Sequence, residues 1–195
     1  MTIVGFETRP ATGDRFADVA TILAPKRAGA QGCWCLSRRL SPTDNKALSS
    51  SQERGQRLEA LCNSGNAPGV LAYQDDDVVG WAAIALREQL HGFSPRRFPI
   101  DPDGNVWVVS CFRVRAGHGK KGVARALLDG AVDYARACGA AAVEAYPIET
   151  GGDRIDRTQA SAGILSVFTD AGFEITGDTG YQVSGHRQVI VRRTL

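Results

Sequence analysis

One stretch of this chain constrains its fold more than any other: an apolar strand, a glycine-rich turn and an amphipathic helix follow one another directly. Residues Val106–Val114, VWVVSCFRV, are nearly all apolar with β-branched side chains on both faces, as in a central strand covered on both sides. Residues 115–124 read RAGHGKKGVA, with three glycines and two lysines in one turn. Beyond it Ala124, Leu127, Leu128, Ala131 and Ala135 recur at helical spacing, while Arg125, Asp129, Asp133 and Arg136 take the opposite face. The helix stops near Gly139, and AAVEAYPI over residues 141–148 predicts the next strand. A strand, helix and strand in this order close as a right-handed parallel crossover.

The flanking segments are of another kind. Residues 3–8 read as an opening strand, and residues 14–23 put Phe16, Val19, Ile22 and Leu23 on one helical face. A loop over residues 29–41 is followed by a second helix carrying Leu58, Leu61 and Cys62. GVLAYQ and VVGWAAIAL are separated by Asp75, Asp76 and Asp77, which predicts an antiparallel hairpin. Residues 87–105 show no period and predict a loop that is mobile or functional. A short helix over residues 161–171 ends on Gly172, and the final RQVIVRRTL alternates like a last strand. The expected fold is therefore α/β (α+β): a mixed sheet, antiparallel at its start and end and parallel in the middle, flanked by helices, in one domain over residues 1–195.

Charge narrows the partners. With 23 basic and 21 acidic residues among 195, the net charge of +2 gives no reason to expect nucleic acid or a membrane surface, so any anion site must be local. The N-terminal residues lack the apolar run of a secretory signal, and an odd set of five irregularly spaced cysteines argues against a disulfide framework. Reduced thiols and a cytoplasmic location are expected.

The turn before the helix that begins near Ala124 offers such a local site. The first turn of a helix offers unpaired N–H groups and a partial positive charge, and glycines let a phosphate approach the backbone. Two other readings stand beside it. One is an ordinary tight turn with solvated lysines. The other takes Gly117, Gly119 and Gly122 as a dinucleotide-binding G-x-G-x-x-G with Glu144 about twenty residues on. That fold normally begins with its fingerprint, whereas here a hairpin precedes it and only residues 123–195 follow.

Val114 followed by Lys120, Lys121, Gly122, Val123, Ala124 and an Ala- and Leu-rich helix resembles motif A of the GNAT superfamily of acyl-CoA-dependent N-acetyltransferases. Gly119 stands where that motif carries Gln or Arg. Residues 161–173, SAGILSVFTDAGF, are similar to its motif B, with Ser161 where Asn is common and Phe168 where Tyr is common. The resemblance covers most of the chain and implies acetyl-CoA as cofactor. It places the pantetheine arm along Phe112, Arg113 and Val114 and the pyrophosphate on the amides of Gly119, Lys120, Lys121, Gly122, Val123 and Ala124, with Ser161 and Phe168 beside the cofactor. It implies transfer of an acetyl group to the primary amine of a small-molecule acceptor in a ternary complex, and it leaves room for a homodimer. A sensor that binds acyl-CoA without catalysis is the alternative, because Phe168 cannot donate the proton a tyrosine would.

Acyl transfer from a thioester needs a neutral amine, an oxyanion site and a proton for the departing thiolate. Tyr146 and Glu144 share a strand face and are the candidate acid and base; otherwise Tyr146 caps the core and Glu144 faces solvent. Cys111 reads as a buried structural cysteine more readily than as a nucleophile. Cys33 and Cys35 with Cys62 or His118 make a weak zinc pattern, so packing around Trp34 is the stronger reading and no metal is expected. The resemblance places the acceptor near Trp34, Arg38, Arg39 and Arg97, where guanidinium groups with aromatics suit an amine that also carries a carboxylate or phosphate; otherwise these arginines are solvated loop charges.

Overall fold

The apolar runs of the sequence become one eight-stranded sheet. The computed structural model describes residues 5–27, 29–91, 104–156 and 159–195. Its strands are β1 (Glu7–Pro10), β2 (Gly69–Gln74), β3 (Asp77–Leu86), β4 (Val106–Val114), β5 (Ala142–Ala145), β6 (Ile148–Glu149), β7 (Glu174–Val183) and β8 (His186–Thr194). The first four pair antiparallel in sequence order, and β4 and β5 run parallel. β8 then returns antiparallel, with β5 and β6 on one side and β7 on the other. The mixed sheet expected from the sequence is present, with a single parallel pair among the described strands.

Among the described residues five α-helices flank it: α1 (Phe16–Leu23), α2 (Pro42–Ala47), α3 (Ser51–Cys62), α4 (Val123–Ala137) and α5 (Leu165–Thr169). α3 begins with a capping box, in which the Ser50 hydroxyl accepts from the Glu53 amide and the Glu53 carboxylate accepts from the Ser50 amide at 2.9 Å. α4 buries Leu127, Leu128, Ala131 and Ala135 of the stripe read from its periodicity against one face of the sheet, with Val123 buried beside them and Ala124 only partly buried. Full burial of each leucine contributes about 1.5–3 kcal/mol. Gly80 of β3 lets this helix come so close: a Cβ there would stand 2.8 Å from Val123 Cγ1 and 2.9 Å from Leu127 Cδ1. The other face carries α1, α3 and the segment 33–40, packed on Leu71, Trp81 and Ala83.

Differences from the sequence reading have local causes. The opening strand lies at Glu7–Pro10, and residues 1–4 fall outside the described residues. α2 lies between the loop read over residues 29–41 and the second helix, in a stretch the sequence reading left unassigned; Ser41 caps it and Pro42 starts it. The helix expected over 161–171 is α5, preceded by a 3-10 turn at Gln159–Ala162. β7 escapes pattern reading since Gly177 and Gly180 and two register shifts break its alternation.

Candidate active site

The sheet splits where its parallel pair ends. β4 and β5 are paired only from Val106 with Ala142 to Val109 with Ala145, after which β5 stops. From Cys111 to Val114, β4 therefore pairs with β3 on one side and has no partner among the described strands on the other. The 3-10 turn Gln159–Ala162, which holds Ser161, packs beside this stretch. Phe112, Arg113 and Val114, the residues expected to carry the pantetheine arm, lie on that open length.

β4 runs directly into the glycine-rich turn. Gly117, Lys120 and Gly122 have φ of +85°, +61° and +90°, and Gly122 is the N-cap of α4. The left-handed region is open to glycine and unfavourable for lysine, so Lys120 stands in a backbone position suited to glycine. Gly119, Lys120, Lys121 and Gly122 are exposed, whereas Val123 is buried and anchors the helix start. Among the described residues, the amides of Gly119, Lys120, Lys121, Gly122, Val123 and Ala124 donate no hydrogen bond to main chain. An exposed row of unspent donors at the positive end of a fifteen-residue helix fits a pyrophosphate. Phe168 is fully buried, edge-on to Phe112 and Phe173, and so belongs to the core beneath the arm's expected path.

A second polar centre lies inside the sheet. Glu144 and Tyr146 do share a face, the one that also carries Ala85, Val108 and Ile190. Glu144 is 4% exposed and so does not face solvent. Its carboxylate accepts from Arg87 Nη1 at 2.7 Å, Arg192 Nη1 at 3.3 Å and the Tyr146 hydroxyl at 3.3 Å. Burial, opposed by Arg87 and reinforced by Glu144, raises Tyr146 well above the ordinary tyrosine value and keeps its hydroxyl protonated. The sequence reading named neither arginine. The one available signal was a glutamate inside the apolar run AAVEAYPI, since a buried carboxylate needs cationic partners.

The residues expected at the acceptor fall in different surroundings. Trp34 is buried, its indole N–H donates to Ser51 Oγ at 2.8 Å, and its ring stacks on Phe16. Arg39 donates to the carbonyls of Pro68 and Ile84 at 2.9 and 2.6 Å, and burial lowers it to about 10. Arg38 is exposed, its carbonyl accepts from the His91 amide at 2.7 Å, and its charge acts on Tyr146. Arg97 lies outside the described residues. Of the thiols, Cys33 bonds Ser37, Cys62 is buried at the last position of α3, and Cys35 meets Cys111. Asp75 and Asp76 form the two-residue hairpin turn between β2 and β3, both at positive φ. Among the described residues no three His, Cys, Asp or Glu side chains converge as metal ligands.

The split parallel pair thus leaves a strand edge that leads straight into a row of amides at a helix N-terminus. The sequence model described as the acetyltransferase (GNAT) family matches residues 38–153, and the chain belongs to that family. Solved structures share its fold at low identity. An acetyltransferase of the GNAT family from Streptococcus pneumoniae is 15% identical with a TM-score of 0.57, over 98% of this chain and 99% of that one. The ribosomal-protein-alanine N-acetyltransferase of Brucella melitensis is 18% identical with a TM-score of 0.56, over 97% and 99%. The PaiA N-acetyltransferase of Thermoplasma acidophilum, in complex with coenzyme A, is 11% identical with a TM-score of 0.55, over 98% and 99%. Among curated proteins, none matches the chain significantly. The dinucleotide alternative falls with the fold, because a doubly wound parallel sheet is absent from the described strands. No helix among the described residues is long and apolar enough to cross a membrane.

Proposed function

We propose that this chain, as one domain over residues 1–195, transfers an acetyl group from acetyl-CoA to the primary amine of a small acceptor by direct attack in a ternary complex. The observation that carries the reading is the continuity of the open β4 edge with the unspent amides at the start of α4. Bound there, acetyl-CoA supplies an acyl group already activated as a thioester. The main chain of Phe112, Arg113 and Val114 holds the extended arm, and the amides from Gly119 to Ala124 bind the pyrophosphate, with Lys120 and Lys121 adding charge. Ser161 borders the same space, and the buried Phe168 supports it from beneath through Phe112. Holding donor and acceptor side by side supplies much of the acceleration, so few reacting side chains are needed.

Tyr146 is the proton donor in this reading. It lies one residue beyond the last parallel pair, where the strands part, and its proton is retained by burial. Glu144, already accepting from Arg87, Arg192 and Tyr146, acts through Tyr146 as a positioning residue. Arg38, exposed and acting on Tyr146, is the favoured contact for an anionic group of the acceptor, while the buried hydrogen bonds of Trp34 and Arg39 give those two a supporting role. A second reading, an acyl-CoA sensor without turnover, is favoured by one observation: the position usual for the family's tyrosine is the fully buried Phe168.

Calorimetric titration with acetyl-CoA and with NAD, followed by CoA-thiol release across a panel of amines, tests both. Heat with acetyl-CoA but not NAD, and thiol release stimulated by an amine, is the expected result. Binding without release from any amine would favour the sensor, and no binding of acetyl-CoA would end both readings.

A further inference from the structure

Two thiols from distant parts of the chain meet on the face of the sheet that carries α1 and α3. Cys35 Sγ donates to Cys111 Sγ across 3.2 Å, although 76 residues separate them. Cys111 lies in β4 beside the register shift at Ala83 and Ile84, immediately before Phe112. Cys35 lies in a tight turn closed by the Leu36 amide on the Cys33 carbonyl at 3.1 Å. The two central residues of that turn, Trp34 and Cys35, have φ of +50° and +51°. This conformation is unfavourable for a residue with a Cβ, and here two adopt it in succession. The indole of Trp34, buried against Phe16 and bonded to Ser51, holds the turn in place and with it the Cys35 sulfur.

The pair is also chemically asymmetric. The hydrogen bond from Cys35 lowers the Cys111 thiol below its ordinary value, with Arg113 assisting against burial, while the same bond and burial raise Cys35. Cys111 is half-buried and Cys35 buried. One sulfur is thus disposed to attack and its neighbour to resolve.

We infer that Cys35 and Cys111 are a site of reversible oxidation, forming an intramolecular disulfide when the protein meets a hydroperoxide. The Cys111 thiolate attacks the peroxide: an S–O bond forms, the O–O bond breaks, and the departing oxygen takes up a proton as alcohol or water. Cys35 then gives up its proton and attacks the sulfenic sulfur of Cys111, so that the S–S bond forms, the S–O bond breaks and water leaves. The two thiols lose two electrons together, and the peroxide gains them. A small dithiol reverses the change by exchange.

Closing the bond draws the sulfurs from 3.2 Å to about 2.05 Å and so pulls the strained turn against β4. Resting on the acetyl-CoA reading, the consequence is a reversible loss of cofactor affinity, since Cys111 adjoins the strand length expected to hold the pantetheine arm.

The full chain, treated with stoichiometric hydrogen peroxide, is examined by intact mass and by peptide mapping without reduction. The expected result is loss of two hydrogens per chain, a Cys35 peptide linked to a Cys111 peptide, and recovery with dithiothreitol. Cys33→Ser should leave the link intact, and Cys35→Ser should halt oxidation at a Cys111 sulfenic acid that dimedone traps. A bridge through Cys33, oxygen added without a bridge, or no reaction would overturn the inference. Calorimetry with CoA on reduced and oxidised protein is read separately. Failure of the reduced protein to bind CoA counts against the acetyltransferase site and not the disulfide, whereas an absent link with CoA binding intact counts against the disulfide alone.

Discussion

The turn before α4 and the cluster around Glu144 are both charged centres reached from β4, and they are built in opposite ways. The turn is exposed and made of main chain, its donors being amides that any residue except proline would supply. The cluster is buried and made of side chains, with one carboxylate answering two guanidinium groups and a phenol. A main-chain site therefore tolerates sequence drift, which explains how Gly119 can stand where Gln or Arg is usual and Lys120 where glycine would be comfortable. A side-chain site does not, because each partner removed leaves a buried charge behind.

The largest test of that contrast is on stability. Glu144→Ala removes the carboxylate from between Arg87 and Arg192 and should destabilise the fold by about 3–5 kcal/mol, the range for breaking a buried ion pair. Urea denaturation measures it, and a loss below that of a typical surface change would show the cluster to be solvated. Next comes the cradle, where binding rather than folding should respond. Replacing Lys120 and Lys121 together with Ala should weaken CoA by about 1–3 kcal/mol with the fold intact, and Gly122→Asp should weaken it further by setting a carboxylate against the pyrophosphate. Calorimetry with CoA decides, and unchanged affinity in both variants would remove the turn as the cofactor site. The smallest effect separates backbone strain from charge. Lys120→Gly, at φ +61°, should raise unfolding stability by roughly 0.5–1 kcal/mol while lowering CoA affinity by less than the double lysine change. A loss of stability instead would mean that the lysine side chain, not the turn conformation, holds this segment.

Legibility in the sequence followed the same division. α4 could be read because Leu127, Leu128, Ala131 and Ala135 repeat at helical spacing, and the β2–β3 hairpin because three aspartates interrupt two apolar runs. α3 could be read because Leu58, Leu61 and Cys62 recur at helical spacing, whereas its capping box went unread. β7 could not be read, since its glycines and shifted register carry no alternation and, among the described strands, β8 alone pairs with it. Tyr146 and Glu144 were placed on one face by the two-residue period of a strand, yet nothing near them in sequence announced Arg87, 57 residues away from Glu144, or Arg192, 48 residues away.

The sequence by itself determined the strand, turn and helix that make the cradle, because hydrogen bonding within a turn and burial along a helix depend on residues that are close neighbours in the chain. Only the tertiary structure decided that β5 stops at Ala145 and opens the edge of β4, that Trp34 and Arg39 spend their donors inside the fold, and that Cys35 meets Cys111. Those facts depend on which strands become neighbours and on what each side chain then finds opposite it, and chain order leaves that open until the sheet is assembled.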